Sequence, residues 1–146
     1  MPDGRWVAEF YEGPSGETPV EARADNLSGV QFAALDAAIK YVLEPQGLGL
    51  ASGKWLTALG GGVYEFRIRH SVSEIERMYA ATTAVQPPAK REPVLLRLFV
   101  HFYGQRIILL LHGYDKGTDD SPRRQQKQIK EAARRLGEWK HRGGKT

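Results

Sequence analysis

The 146-residue chain contains no cysteine, so it forms neither disulfide bonds nor metal sites with thiolate ligands. The absence of cysteine makes the cytoplasm the simplest compartment for the protein. The first ten residues, MPDGRWVAEF, lack the apolar core of a signal peptide. The longest apolar run, IILLL at residues 107–111, is far too short to span a bilayer. We therefore expect one cytoplasmic domain, residues 1–146, that does not associate with membranes.

Acidic residues are scarce near the end of the chain, although the net charge of the whole chain is only +4. From Ser121 onward there are nine Lys and Arg residues and two Glu residues, whereas residues 1–120 carry a net charge of −3. Such asymmetry is typical of proteins that bind a polyanion or an acidic partner. A solvated basic helix face explains the same pattern, and charge alone does not decide between the two.

Patterns in the first sixty residues predict one strand and two helices. Residues 5–11 are predicted as a strand. Residues 28–44 are predicted as a helix, because Ser28 suits its N-cap and apolar residues recur at helical spacing. Residues 54–59 are predicted as a shorter helical piece that ends at the glycine run 60–62. The apolar residues expected in the core are Phe32, Leu35, Ile39, Val42, Leu43, Trp55, Leu56 and Leu59.

Residues 63–69 alternate regularly between apolar and charged side chains, which predicts a half-buried strand. Its charged residues, including Arg67 and Arg69, point away from the core face. The connection that follows, residues 71–92, is long for a compact domain. A capping-box sequence beginning at Ser71 predicts a short helix at its start.

Residues 94–116 are predicted to form a β-hairpin, because two β-forming runs flank a two-residue loop, Gly104-Gln105, that suits a type II′ turn. This turn places Tyr103 opposite Arg106, and Arg97 directly opposite His112. Since side chains alternate between faces, the predicted core face carries Val94, Leu96, Leu98, Val100, Phe102, Ile107, Leu109 and Leu111. The opposite face is predicted to carry Arg97, His101, Arg106 and His112.

Residues 121–140 are predicted as the final helix, with Ser121 as its N-cap and Pro122 at its first position. Its basic residues surround an apolar stripe of Ile129, Ala132, Ala133, Leu136 and Trp139. The element order predicts an α+β fold in which an antiparallel β-meander packs against the N-terminal helices and a basic helix ends the chain.

Arginine and histidine side chains gathered on one open sheet face suit the binding of a phosphodiester. Metal-independent RNA cleavage needs a base for the 2′-hydroxyl, an acid for the 5′-oxygen and positive charge at the phosphorane. Histidine is the natural acid or base, and Arg97 beside His112 is expected to lower the pKa of that imidazole. Each residue alone is more readily explained as an ordinary solvated, half-buried, packing or turn residue, so the hypothesis depends on their convergence. Two histidines without convergent carboxylates predict no metal site.

Four segments in order resemble the RelE/HigB-type toxins of type II toxin–antitoxin modules, in particular their phage-derived branch. They are YEFR, LLRLFVHFYGQR, IILLLHGYDK and SPRRQQKQIKEAARRL, within residues 55–136. The resemblance implies a small α+β fold with a mixed sheet, no cofactor, and metal-independent, often ribosome-dependent mRNA cleavage that inhibits translation. It also implies mRNA, the ribosome and a cognate antitoxin, often a helix-turn-helix protein, as partners.

Position by position, the resemblance implies that Arg67 and Arg97 contact phosphate. It implies that His112, Tyr114 and Lys116 transfer protons or orient the substrate, without deciding which of them is the acid or the base. Further RNA contacts are expected from Arg69, His101, Arg106, Arg123, Arg124, Lys127 and Lys130.

The chain departs from the family pattern at Leu96, where tyrosine is usual, at Gly117, where a second lysine is usual, and in the length of the 71–92 connection. A non-catalytic RNA- or protein-binding module with the same fold is therefore the alternative function.

Overall fold

The structure, a computed structural model, describes residues 4–79 and 94–144. Its strands are β1 (Val7–Phe10), β2 (Leu56–Gly60), β3 (Val63–Ile68), β4 (Leu96–Tyr103) and β5 (Ile107–Asp115). Its helices are α1 (Pro19–Asp25), α2 (Gly29–Ala38), α3 (Glu44–Gln46), α4 (Val72–Tyr79) and α5 (Pro122–His141). A π-helical segment (Ile39–Leu43) joins α2 to α3, and a 3-10 helix (Gly47–Ser52) follows. Most of the predicted 71–92 connection lies outside the described residues.

The five strands form one mixed sheet in the order β1-β5-β4-β3-β2. β1 pairs with β5 in parallel, and all other neighbours are antiparallel. The predicted α+β fold, with a mixed sheet, N-terminal helices and a C-terminal helix, is confirmed. None of the helices in the described part of the chain is both long and apolar enough to cross a membrane.

One face of the sheet packs against the N-terminal helices and forms the larger core. The strands contribute Phe66, Leu98, Val100, Ile108 and Leu110, and the helical segments contribute Ala34, Ala38, Val42 and Leu43. All of these side chains are buried, so this face is closed to solvent. Burial of apolar surface at roughly 25 cal/mol per Å² is the main force that holds these layers together.

The second face of the sheet is not open as predicted, because α5 lies across it. Ala132 and Leu136 of α5 pack against Phe99, Leu109 and Leu111 of the sheet. The apolar stripe of α5 is buried against this half of the sheet, which provides a matching apolar surface. Every candidate residue on this face therefore lies beneath or beside a helix.

Three helices begin where the sequence predicts their N-terminal ends. Ser28 caps α2 in a capping box with Gln31, Ser71 accepts a hydrogen bond from the backbone of Glu74, and Ser121 accepts one from the backbone of Arg124. The oxygen atom of a short side chain just before a helix accepts hydrogen bonds from backbone N–H groups that have no partner within the helix. The core assignment of Phe32 is wrong, since this side chain is largely exposed on α2.

The prediction of a helical piece at residues 54–59 is wrong, because this segment forms β2. β2 pairs with β3 through the turn at Gly61, and both Gly61 and Gly62 have positive φ angles. Glycine reaches this conformation without strain, so the run is a hairpin turn and not the end of a helix. α1 was also not predicted.

The predicted register of the β4–β5 hairpin is wrong by one residue at the loop and by one more residue at a β-bulge. The loop has three residues, so Tyr103 pairs with Ile107, and Arg106 lies in the loop with φ +63°. A β-bulge between the pairs Val100–Leu110 and Phe99–His112 then shifts the register by one residue. Tyr114, rather than His112, is therefore the direct partner of Arg97.

The same shift corrects the predicted faces of β5. Ile108 and Leu110 belong to the larger core, whereas Leu109 and Leu111 face α5. His112 is nevertheless on the same face as Arg97, because its partner Phe99 is two residues along β4 from Arg97.

Candidate functional site

Five polar side chains meet on the α5 side of the sheet near the start of β4. We call them the polar cluster; they are Glu65, Arg67, Arg97, His112 and Tyr114. They come from three adjacent strands, and their alternation along each strand places them all on one face. The predicted convergence of Arg67, Arg97, His112 and Tyr114 is thus found, although the pairing within it differs.

Arg67 and Arg97 are cross-strand partners, and the carboxylate of Glu65 lies beside both. Arg67 Nε donates to Glu65 Oε1 at 3.2 Å. Arg97 Nε lies 3.9 Å from Glu65 Oε2, which is within ion-pair range but too long for a hydrogen bond. Glu65 is only 1% exposed, so its charge is a buried counter-ion for two guanidinium groups.

Arg97 is 7% exposed, and its Nη1 donates to its neighbour's backbone carbonyl, that of Leu96, at 3.2 Å. Burial lowers the pKa of Arg97, and the nearby Glu65 carboxylate opposes this effect. The guanidinium stays protonated, because the ordinary pKa of arginine lies far above neutral pH. Its Nε is one of three buried side-chain atoms without a hydrogen-bond partner among the described residues.

Tyr114 lies directly opposite Arg97, and its hydroxyl is also buried without a hydrogen-bond partner in this part of the structure. Its ring is parallel to that of Phe99, with centroids 6.0 Å apart. The guanidinium of Arg124, on α5, lies 5.2 Å from the ring centroid. Burial and then the Glu65 charge raise the pKa of Tyr114, so its hydroxyl keeps the proton that a general acid would supply.

Both nitrogens of His112 are engaged by α5. Arg135 Nη1 lies 2.8 Å from Nδ1, and Nε2 is hydrogen-bonded to Gln128 Oε1. Arginine can only donate, so Nδ1 is the acceptor and Nε2 carries the proton. Burial lowers the pKa of His112, and Arg135 lowers it further, whereas the hydrogen bond that Nε2 donates to Gln128 raises it. The imidazole is neutral, but its lone pair is already occupied.

The remaining predicted residues lie outside the polar cluster. Arg69 is exposed beyond the end of β3, and Lys116 follows β5 with a half-buried side chain. Arg106 is not on the cluster face, because the three-residue loop places its guanidinium 5.8 Å from the ring of Trp6. His101 shares the face but lies at the other end of β4, where its Nδ1 is 2.8 Å from the carbonyl oxygen of Gly62.

The outward side of α5 carries a row of cations. Arg123, Lys127 and Lys130 are exposed at spacings of four and three residues, which places them on one side of the helix. We call these three residues the outer stripe. Arg124 does not belong to it, because its Nη1 donates to the carbonyl oxygen of Asp115 at 2.9 Å and to Thr118 Oγ1 at 2.6 Å.

Sequence reasoning missed the residues that hold the cluster from the helix side. Gln125 Nε2 donates to Glu65 Oε2 at 3.0 Å, and Gln128 and Arg135 bind His112. A signal was present, since Gln125 and Gln128 continue the helical spacing of the apolar stripe toward the N-terminus. Polar residues in such positions face a polar part of the partner surface.

Comparison of the chain with protein-family models and with curated proteins finds no match to either. In the described ranges, no three His, Asp or Glu side chains come together in a way that could hold a metal ion.

Proposed function

We propose that the protein is an endoribonuclease of the RelE/HigB type, the toxin component of a type II toxin–antitoxin module that cleaves mRNA and inhibits translation. The observation that carries this proposal is the cross-strand pair Arg67–Arg97, with Tyr114 and His112 on the same sheet face. Two adjacent guanidinium groups suit the doubly charged phosphorane of RNA cleavage, because electrostatic stabilisation is commonly the largest catalytic effect.

In this mechanism a base takes the proton of the 2′-hydroxyl, and the 2′-oxygen attacks phosphorus. The bond between phosphorus and the 5′-oxygen breaks, and an acid gives that oxygen a proton. His112 is neutral, as a base must be, but its Nδ1 lone pair accepts from Arg135, so it serves as the base only when that contact is released. The protonated hydroxyl of Tyr114 has the character of the acid. Lys116, just beyond β5, is the alternative proton donor.

The outer stripe supports a role in gripping RNA outside the reacting groups. Four residues of an α-helix span about 6 Å, so Arg123 and Lys127 are spaced on the scale of neighbouring phosphates. We propose mRNA and ribosomal RNA as the polyanions, a cognate antitoxin as the protein partner, and the cytoplasm as the place where they meet.

The test is inducible expression in bacteria with growth and mRNA 5′-end mapping measured together. Wild type should arrest growth and create new mRNA ends, and Arg67→Gln, His112→Gln and Tyr114→Phe should each reduce the frequency of those ends about 100-fold or more. Tyr11→Phe is the matched control, since Tyr11 is equally buried against α5 but lies outside the cluster. Growth arrest that survives all three substitutions would contradict the assignment of the site.

A non-catalytic RNA-binding module is the second candidate. The observation that favours it is the engagement of both nitrogens of His112 by α5. On this alternative, folded wild-type protein binds RNA but produces no new ends, and substitutions in the outer stripe weaken binding more than Arg67→Gln does.

A further inference from the structure

The two halves of α5 are held to the sheet by different kinds of contact. In the second half, Ala132 and Leu136 are buried, and the ring of Trp139 lies 4.7 Å from that of Tyr103. In the first half, residues 122–128, no side chain is buried. That half is held by polar contacts from Arg124, Gln125 and Gln128.

These polar contacts engage the groups that the proposed chemistry needs. Gln125 binds the carboxylate of Glu65, and Gln128 binds the Nε2 of His112. Arg124 lies over the ring of Tyr114. Beneath them, Arg97 Nε and the Tyr114 hydroxyl are buried without a hydrogen-bond partner among the described residues, so the helix encloses these donors without satisfying them. Such atoms cost free energy in the closed state, which favours any state of the protein in which they are paired.

The outer stripe lies on the opposite side of α5 from the polar cluster. An α-helix with its side chains is about 10 Å across, so an RNA strand on the stripe does not touch the cluster while α5 is in place. Residues 122–130 contain four Lys and Arg residues and no acidic residue. A polyanion therefore attracts the half of α5 that is held least firmly.

We propose that residues 122–128 of α5 are an autoinhibitory cover, which must lift from the sheet before a phosphodiester reaches Arg67, Arg97, His112 and Tyr114. This inference rests on the proposed function for the identity of the occupant. The second half of α5 stays docked through Ala132, Leu136 and Trp139, so the helix parts near Ile129. Lifting the cover frees Glu65 from Gln125 and Nε2 of His112 from Gln128, and it exposes the two unpaired donors to the phosphate.

Hydrogen exchange of the full chain, measured by mass spectrometry of peptides from α5, tests the cover without RNA. Amides of residues 123–128 should exchange about ten-fold or more faster than those of residues 132–139, because polar contacts contribute less than buried apolar ones. In the double variant Gln125→Ala/Gln128→Ala, exchange of the first half should rise roughly ten-fold further while the second half is unchanged. Gln126→Ala is the matched control, since Gln126 is exposed on the same turn of α5.

The second arm measures binding of a non-cleavable single-stranded 2′-O-methyl RNA. If the closed cover competes with RNA, the double variant binds several-fold more tightly than wild type and the Gln126→Ala control, because apparent affinity scales with the fraction of open protein. Uniform exchange along α5, or weaker RNA binding by the double variant, would overturn the cover. If the first half of α5 exchanges fast but no variant binds RNA, RNA is not the occupant, and the proposed function is contradicted as well.

Discussion

Arg67 and Arg97 are directly opposed on β3 and β4, so two guanidinium groups occupy one rung of the sheet. Opposed like charges destabilise a strand pair, and here the buried carboxylate of Glu65 compensates for both. Positive charge is therefore concentrated at this pair, and Glu65 is its counter-ion among the described residues, so the stability of the pair depends on that carboxylate.

Replacing Glu65 with Gln should destabilise the protein by about 3 kcal/mol, because it leaves buried Arg97 without its counter-ion. Urea unfolding measures the change. Glu131→Gln is the control: Glu131 pairs with Arg134 and Arg135 near the surface of α5, and its loss should cost less than about 1 kcal/mol. Equal effects of the two substitutions would show that Glu65 does not compensate the arginine pair.

The free energy of unfolding should fall as the pH falls from about 7.5 to 5.5. Burial lowers the pKa of His101 and His112 in the folded protein, so below the ordinary pKa of about 6.5 the unfolded chain binds more protons. Each histidine then removes up to about 1.4 kcal/mol per pH unit until its folded pKa is reached. Glu131 does not titrate in this range, because hydrogen bonds from Arg134 hold its pKa at about 2.

Urea unfolding at the two pH values gives the loss of unfolding free energy, and this loss should be smaller for His112→Gln than for wild type. His141→Gln serves as the control, since His141 is exposed at the end of α5. A pH dependence that is identical in wild type and in His112→Gln would contradict the burial of a neutral imidazole.

Gly62→Ala should destabilise the protein more than Gly61→Ala. Both residues have positive φ angles, so a side chain at either is strained by roughly 1–2 kcal/mol. At Gly62 the new methyl carbon would also lie 3.0 Å from His101 Nδ1 and disturb its hydrogen bond. At Gly61 no atom of the described neighbours lies within 4 Å of the new methyl carbon. The free energy of unfolding, measured thermally or in urea, should differ between the two variants by about 1 kcal/mol. Equal decreases in the two variants would show that the strain is in the backbone alone.

Substitutions in the outer stripe should weaken RNA binding and its dependence on salt. If RNA binds the outer stripe as proposed, Lys127→Gln and Lys130→Gln each remove one phosphate contact, and the slope of log K against log salt concentration should decrease by about 0.7 per substitution for single-stranded RNA. Fluorescence anisotropy across a salt titration gives the slope. Lys54→Gln is the control, because Lys54 is exposed before β2 and away from α5; an equal change there would indicate a diffuse charge effect.

The helix boundaries were predictable because local side chains determine them. Ser28, Ser71 and Ser121 each bind backbone groups within the next helical turn, so the signal lies within a few residues of sequence. The segment of residues 54–59 carries no such signal. Its short apolar run fits a helix or a strand equally well, and only the pairing with β3 makes it a strand.

The hairpin register was not predictable from alternation, because both faces of β4 and β5 are largely buried and apolar. In such a strand, a shift of one residue leaves the pattern almost unchanged. The prediction that Arg97 and His112 share a face was right only because the one-residue shifts at the loop and at the β-bulge add up to two residues, which restores the face but not the partner. The cover over the site was missed for a related reason: the apolar stripe of α5 predicts burial but does not identify which surface buries it.

The parallel pairing of β1 with β5 has a consequence for biosynthesis. Val7 is paired with Ile107, a sequence separation of 100 residues, so β1 has no partner until β5 has left the ribosomal exit tunnel. Contacts between distant parts of a chain slow folding, and α5 docks on a face that needs β3, β4 and β5 together. The polar cluster therefore assembles only after β5 has been translated, and α5, which follows β5, then closes over it.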